Sequence, residues 1–377
     1  MSYAYNRTVT IDHTKVPNTD QSNFPVCFSG TYSWLATVAN GGHVTNSSGY
    51  DIVFTSDAAG LTVLDFEIEL YTASNGQVVF WIRVPTVSHT SDTVFYIFYN
   101  NPSITTSQEN AHGVWDSNYI GVWHGHVTGS GTYTSANSTA ASHNGTYVGA
   151  NNPTDASGKV NGCMDVGNGG GAPFSLDTFT DLFDGSNQIW TIEGWYANNQ
   201  ETTFTRSVCI GSVSGASNVV RVNVGNDGGG NNAIRLVYET GTWYSGNAYA
   251  VNSYSNTIAH GVFYHIVMVL DLNAQTGAIY YNGAANSGTF TKSGTIGNTL
   301  NSLGSALRFG DFPPSSAGFG GLMDEIRFSK SARSVDWAKS SYNNQNSPST
   351  FYALGSENAF DPSTVPWQIF PYGINVP

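Results

Sequence analysis

The chain has 377 residues, 42 of them Gly, with 10% charged and 13% aromatic residues and a formal net charge of -13. That length supports two or three domains, and the sparse charge and abundant Gly favour short strands joined by many turns over helices. With only 13 Lys and Arg in the whole chain, a function that depends on neutralising the phosphates of nucleic acid or an anionic membrane is excluded, because each such contact needs a cation.

From the N-terminus, apolar and polar residues alternate in the blocks YNRTVTIDH, YDIVFTS, LDFEIELY, VVFWIRVP and TVFYIFYNN, separated by Gly, Asn, Ser and Pro turns. They predict an antiparallel β-sandwich over residues 1–105, followed by a linker at 106–117. A stretch poor in apolar residues (128–162) is loop-like. Strand signals resume with IWTIEGWYA, SNVVRVNVG, AIRLVYETG, VFYHIVMVLD, GAIYYNGA, ALRFGDF and LMDEIRFS, a spacing that predicts a two-sheet jelly-roll over 118–356. The expected fold class is all-β. One helix is predicted, in SARSVDWAKSSYNNQ, with Ser331 or Ser334 as its cap. Residues 357–377 contain Pro362, Pro366, Pro371 and Pro377 and read as an extended tail, suited to self-association or to docking on a larger particle.

Cys27, Cys163 and Cys209 form no C-x-x-C pair, so buried free thiols are expected, with a Cys163–Cys209 bridge as the alternative. The residues after Met1 are polar and strand-like, without the apolar core of a secretory leader, and the apolar stretch His265 to Leu272 is too short to span a bilayer. A soluble protein is expected, which reaches the outside of a cell by lysis, by a non-classical route or from a longer precursor.

The stretch FWIRVPTVSHTSDTVFYIFYNNPS followed by VWDSNYIGVWHGH resembles the closing part of a bacterial and archaeal domain family of unknown function that precedes laminin-G-like domains. Farther on, GKVNGCMDVGNGGG, WTIEGWYA, FYHIVMVLD with IYYNG, and GLMDEIRFSKSARSVDW resemble a laminin-G-like (concanavalin A-like) domain, so that the two resemblances span roughly 5–355. Neither implies one activity, since this fold carries lectins, adhesion modules and glycosidases alike. The second resemblance implies a Ca²⁺ site built from Asp324, Asp165 and the carbonyl of Gly167, hard oxygen donors that suit this ion. Asp165-Val166-Gly167 departs from the family's Asp-Gly, and the alternative is that Asp324 caps a turn without an ion.

Trp243, Tyr244, Tyr249 and Tyr254 lie in a polar, Gly-rich region where flat rings beside amides can form a sugar platform, with Asp227, Asn231 and Asn232 of a nearby loop supplying polar contacts. The opposing readings are rings packed into the sandwich edge and an ordinary hairpin. Asp65, Glu67 and Glu69 alternate on one strand at about 6.6 Å per step, a spacing open to carboxylate catalysis, but are expected to form a solvated face. His124 and His126 share a strand face and could ligate Zn²⁺, but no third ligand is placed nearby by sequence, and they are expected to be core or sheet-face residues. No G-x-S-x-G, H-E-x-x-H or phosphate loop is present. The expected function is non-catalytic glycan binding or adhesion, extracellular or on a virion surface as a fibre or capsid decoration. A structural assembly protein without a glycan ligand is the second expectation and a glycoside hydrolase the third.

Overall fold

A computed structural model of the protein describes residues 3–125, 134–135, 138–139, 143, 145–147, 154–167, 174–176, 188–199, 208–212, 218–226, 232–240, 247–253, 258–286, 288–296, 306–310 and 319–361. The chain is all-β, built of antiparallel sheets, as its alternation predicts. It divides into two compact units that are not in series. The first takes in Met1–Lys15, Asp20–Asn110 and the chain from Pro348 onward; the second takes in Val16–Thr19 and Ala111–Ser347. The second unit is therefore inserted into the first, which corrects the serial order 1–105, 106–117, 118–356 and 357–377. Residues 348–356, expected in the jelly-roll, and 357–361, expected in the tail, belong to the N-terminal sandwich.

In the first unit, one sheet runs in the order Tyr352–Leu354, Tyr5–Ile11, Thr93–Tyr99 and Val53–Thr55, with Asn358–Ala359 also on Tyr5–Ile11. The other has Gln21–Thr31, Gln77–Val87 and Phe66–Thr72. Alternation along Tyr5–Ile11 buries Val9 and Ile11 completely. Phe54 is the hub of the core, meeting Phe28, Phe66 and Phe80 edge-to-face at 5.6, 5.6 and 5.3 Å.

The return segment is bound by both main chain and side chain. Val9 pairs with Leu354 and Ile11 with Tyr352. Phe351 is wholly buried, and Tyr352 stacks on Phe28 at 5.2 Å while its hydroxyl accepts the Ser29 N–H at 3.0 Å. Farther along, Arg7 donates to the Tyr99 hydroxyl (3.2 Å) and the Gly355 carbonyl (3.1 Å), lies over the Trp34 ring at 4.6 Å, and faces Glu357.

The second unit packs two sheets face to face. One, of eight strands, has the order Thr154–Ser157, Gly162–Asp165, Gly321–Ser329, Ile189–Asn198, Tyr264–Asp271, Thr276–Tyr281 and Ala284–Asn286, with Tyr119–Trp123 also on Gly321–Ser329. The nine-stranded sheet runs Thr289–Ser293, Ala248–Ser253, Asn232–Thr240, Asn218–Asn226, Val208–Ser212, Leu307–Phe309, Phe174–Ser175, Gly145–Tyr147 and Thr134–Ser135. Alternate residues of facing strands, among them Trp190, Ile192, Ile266, Met268 and Leu270 against Val220, Val222, Ile234, Leu236 and Val251, make one core. The helix Val335–Asn346 starts where Ser334 accepts the Trp337 N–H, one of the two caps expected. Among the described residues no helix is long and apolar enough to cross a membrane.

Candidate functional site

Asp324 lies in Gly321–Ser329, where Met323, Ile326 and Phe328 all face the core. The three-residue step from Met323 to Ile326 holds an extra residue, and Glu325 takes up the irregularity with a φ of 53°. Asp324 is fully buried, and its Oδ2 accepts the backbone N–H groups of Lys159 (2.6 Å) and Val160 (3.1 Å). That is the turn-capping geometry. A Cβ on Gly158 would fall 2.6 Å from this oxygen and 2.8 Å from the Gly162 carbonyl oxygen, so the turn requires glycine. On the neighbouring strand Asp165 pairs with Leu322, and its Oδ1 accepts the Gly167 N–H at 2.9 Å. Burial, then the charges of Asp324, Asp155 and Asp165, push the Cys163 thiol up. Cys27 and Cys163 are buried free thiols, and the Cys209 side chain lies outside the described residues.

Of the expected sugar platform, Trp243, Tyr244, Tyr254, Asp227 and Asn231 lie outside the described residues, as does the side chain of Asn232. Tyr249 is described, and it is no part of an exposed platform. It pairs with Tyr238, is fully buried, and stacks on Phe290 at 6.0 Å. Its strand alternates, and the register that turns Val251 inward turns Tyr249 inward too.

The carboxylates of the first unit are not a solvated face. Glu67 is buried, Asp65 holds the Arg83 guanidinium and the Asn110 amide, and Glu69 accepts the Trp81 indole N–H at 2.8 Å. The ladder shifts register between Ile68 and Leu70, so Glu69 does not continue the row of Asp65 and Glu67. His124 lies just past the end of the strand Tyr119–Trp123, with its Nδ1 2.9 Å from Glu325 Oε1, whereas His126 lies outside the described residues.

The sequence reading did not foresee two polar layers on the jelly-roll. On the outer side of the eight-stranded sheet, Glu193 Oε1 meets His265 Nε2 at 3.1 Å, the Ser341 hydroxyl, and Arg327 Nη1 at 3.6 Å. Arg327 also binds Glu325 at 2.8 Å, and Trp195 donates to Gln345 at 2.7 Å. Burial by itself would raise the Glu193 carboxyl, but the His265 hydrogen bond, the charges of Arg327 and His265, and the Ser341 hydroxyl outweigh it and hold the group well below the usual carboxylate range. This network is an internal scaffold beneath the helix.

The other layer lies on the outer face of the nine-stranded sheet. Because Val220, Val222, Ile234 and Leu236 face the core, Arg221, Asn223, Arg235 and Glu239 must point the opposite way. Arg221 is paired with Glu239, and Arg235 donates from Nε to Asn252 at 2.6 Å. The available signal was Arg221 and Asn223, two apart within VVRVNV, and Arg235 and Glu239, four apart within AIRLVYE.

The second unit is an antiparallel two-sheet jelly-roll with an apolar middle, its chain inserted into that of a smaller β-sandwich. Residues 168–339 match the Concanavalin A-like lectin/glucanases superfamily, and residues 48–119 match the Domain of unknown function (DUF2341). No curated protein matches the chain. Among solved structures, domain 4 of AbnA, a GH43 extracellular arabinanase from Geobacillus stearothermophilus in complex with arabinotriose, is 18% identical, with 59% of this chain and 97% of that one covered and a TM-score of 0.42. The binding domain of Paraclostridial Mosquitocidal Protein 1 is 10% identical over 60% of this chain and 52% of its own, with a TM-score of 0.42. A sialidase of Trypanosoma rangeli is 10% identical over 74% of this chain and 45% of its own, with a TM-score of 0.41.

Proposed function

We propose that the protein is a non-catalytic carbohydrate-binding module that engages glycans through its jelly-roll unit, at a cell or particle surface. The observation that supports this reading is the antiparallel two-sheet jelly-roll of the second unit, together with the match of residues 168–339 to the Concanavalin A-like lectin/glucanases superfamily. Glu193 and Glu325 of the jelly-roll are not placed for hydrolysis. A glycosidase sets two of them at the scissile bond with room for sugar and water, whereas Glu193 and Glu325 are 3% and 1% exposed and bound to Arg327.

The ring platform at Trp243, Tyr244 and Tyr254, with Asp227 and Asn231, extends the same proposal. A Ca²⁺ ion held by Asp165, Asp324 and the Gly167 carbonyl would add stability by binding the folded state alone. The Pro-containing segment after Asp361 is proposed to dock or self-associate. Binding of the full-length chain to a glycan array tests the central reading. Selective, saturable binding is expected; an array without any bound glycan would instead favour a structural assembly protein.

A further inference from the structure

We propose that the first unit carries a divalent-metal site of the zinc type, formed by the carboxylates of Asp12 and Asp92 and the imidazole of His13. Its residues all belong to the first unit, so the site does not depend on whether the second unit binds glycans.

Strand pairing brings the three residues together. Tyr5–Ile11 ends with Ile11 opposite Thr93, so Asp12 and His13 follow one strand directly while Asp92 precedes the other. One donor atom from each of the three lies within 4.8 Å of the other two. Donors that share an ion at about 2.0–2.2 Å stand roughly 3–3.5 Å apart. The side chains of His13 and Asp92 are 39% and 50% exposed, which leaves them room to close that difference.

Each carboxylate is aimed through one oxygen. Asp12 Oδ1 accepts the Thr14 N–H at 2.9 Å and the Thr14 hydroxyl at 2.7 Å, and Asp92 Oδ1 accepts the His13 N–H at 3.1 Å and lies 2.6 Å from His13 Nδ1. Among the described residues neither Asp12 Oδ2 nor Asp92 Oδ2 makes a hydrogen bond, so each carboxylate keeps an oxygen for an ion. The Thr14 hydroxyl, the Thr14 N–H and Lys15 hold the Asp12 carboxyl low against burial and the charge of Asp92, and the His13 ring and N–H do the same for Asp92. Both are ionised at neutral pH, as ligands must be. The imidazole selects the ion: Ca²⁺ and Mg²⁺ take oxygen ligands, whereas one nitrogen with two carboxylate oxygens suits Zn²⁺. An ion at Nδ1 takes the place of the proton there, and the neutral ring carries its single proton on Nε2 instead. The Asp12 N–H donates to the Phe351 carbonyl at 3.0 Å, so an ion here braces the strand end at which the returning chain joins the sheet.

The loop between Gln77–Val87 and Thr93–Tyr99 contains its own comparison. At its other end Asp20 Oδ1 accepts the His89 N–H at 2.9 Å and lies 2.6 Å from His89 Nδ1, the same clamp as His13 with Asp92. Among the described residues no third His, Cys, Asp or Glu joins that pair. Asp12 is what turns the first clamp into a donor set.

The test is calorimetric titration of the full-length protein, dialysed against EDTA, with Zn²⁺, Mn²⁺ and Ca²⁺. Saturable binding of Zn²⁺, tighter than that of Mn²⁺, is expected, with a higher melting temperature in Zn²⁺ than in EDTA. His13→Gln, Asp12→Asn and Asp92→Asn should each weaken Zn²⁺ binding about tenfold or more and remove the thermal effect, while His89→Gln leaves both in place. Melting in EDTA checks that each variant folds, and Asp12→Asn, which keeps an oxygen for Thr14, decides should another fail. Zn²⁺ affinity unchanged in Asp12→Asn, an equal loss in His89→Gln, or no saturable Zn²⁺ binding by the parent protein would overturn the site. Ca²⁺ bound more tightly than Zn²⁺ and lost in Asp92→Asn would overturn the choice of ion.

Discussion

Cutting the chain after Asn110 should leave an N-terminal piece that cannot fold, although its strand-forming blocks are nearly complete. The structure supplies the magnitude. Truncation removes Phe351, fully buried and 6.4 Å from the Phe24 ring, and Tyr352, 4% exposed and stacked on Phe28. Losing a buried aromatic ring costs about 3–5 kcal/mol through transfer and cavity terms, so the two together cost about 6–10 kcal/mol. The whole stability of a domain is about 5–15 kcal/mol. The cut also strips the pairings of Val9, Thr10 and Ile11 with Leu354, Ala353 and Tyr352, opening one edge of the sheet. A 1–110 fragment is expected to show collapsed amide dispersion and no cooperative urea transition, whereas joining 1–110 to 348–361 through a flexible Gly/Ser linker should restore both. Tyr352→Ala in the full chain should weaken the first unit by about 3–5 kcal/mol. Cooperative unfolding of the 1–110 fragment, at a stability close to that of the rejoined protein, would refute the argument.

Tyr249→Ala should destabilise the jelly-roll by about 3–5 kcal/mol, while Trp243→Ala and Tyr244→Ala should leave the melting temperature in place and lower glycan affinity roughly five- to thirtyfold; a large drop in melting temperature at Trp243 would place that ring in the core. Glu193 is held below its ordinary value of 4.5, so its contribution to stability is complete above that pH and is lost as pH falls through the lower folded value. Glu193→Gln should therefore destabilise at neutral pH, by about 3–5 kcal/mol for a broken buried ion pair, and flatten the acid limb of the stability curve; an unchanged acid limb would show that other groups govern it. If the Ca²⁺ proposal holds, a hundredfold excess of the ion over its dissociation constant adds about 2.7 kcal/mol, read as a higher melting temperature in millimolar Ca²⁺ than in EDTA. Identical melts would leave Asp324 as a turn cap only.

The sequence by itself determined what depends on neighbours along the chain. Period-two alternation in YNRTVTIDH, VVFWIRVP and SNVVRVNVG marked strands because a strand buries alternate residues whatever it pairs with. Ser334 was legible as a helix cap because capping spans only three residues. What the tertiary structure decided was the pairing of segments far apart in the chain. The insertion of one unit into the other was hidden because Tyr352–Leu354 is too short to signal a strand and gains its meaning only beside Tyr5–Ile11, more than 340 positions away. Tyr249 looked exposed in its polar surroundings, yet its register with Tyr238 turns the ring into the core. Glu193, His265, Arg327 and Ser341 come from separate elements, and Arg221, Arg235 and Arg308 from three different strands. Local pattern shows which residues share a face of one strand; only sheet order and register show which faces lie side by side.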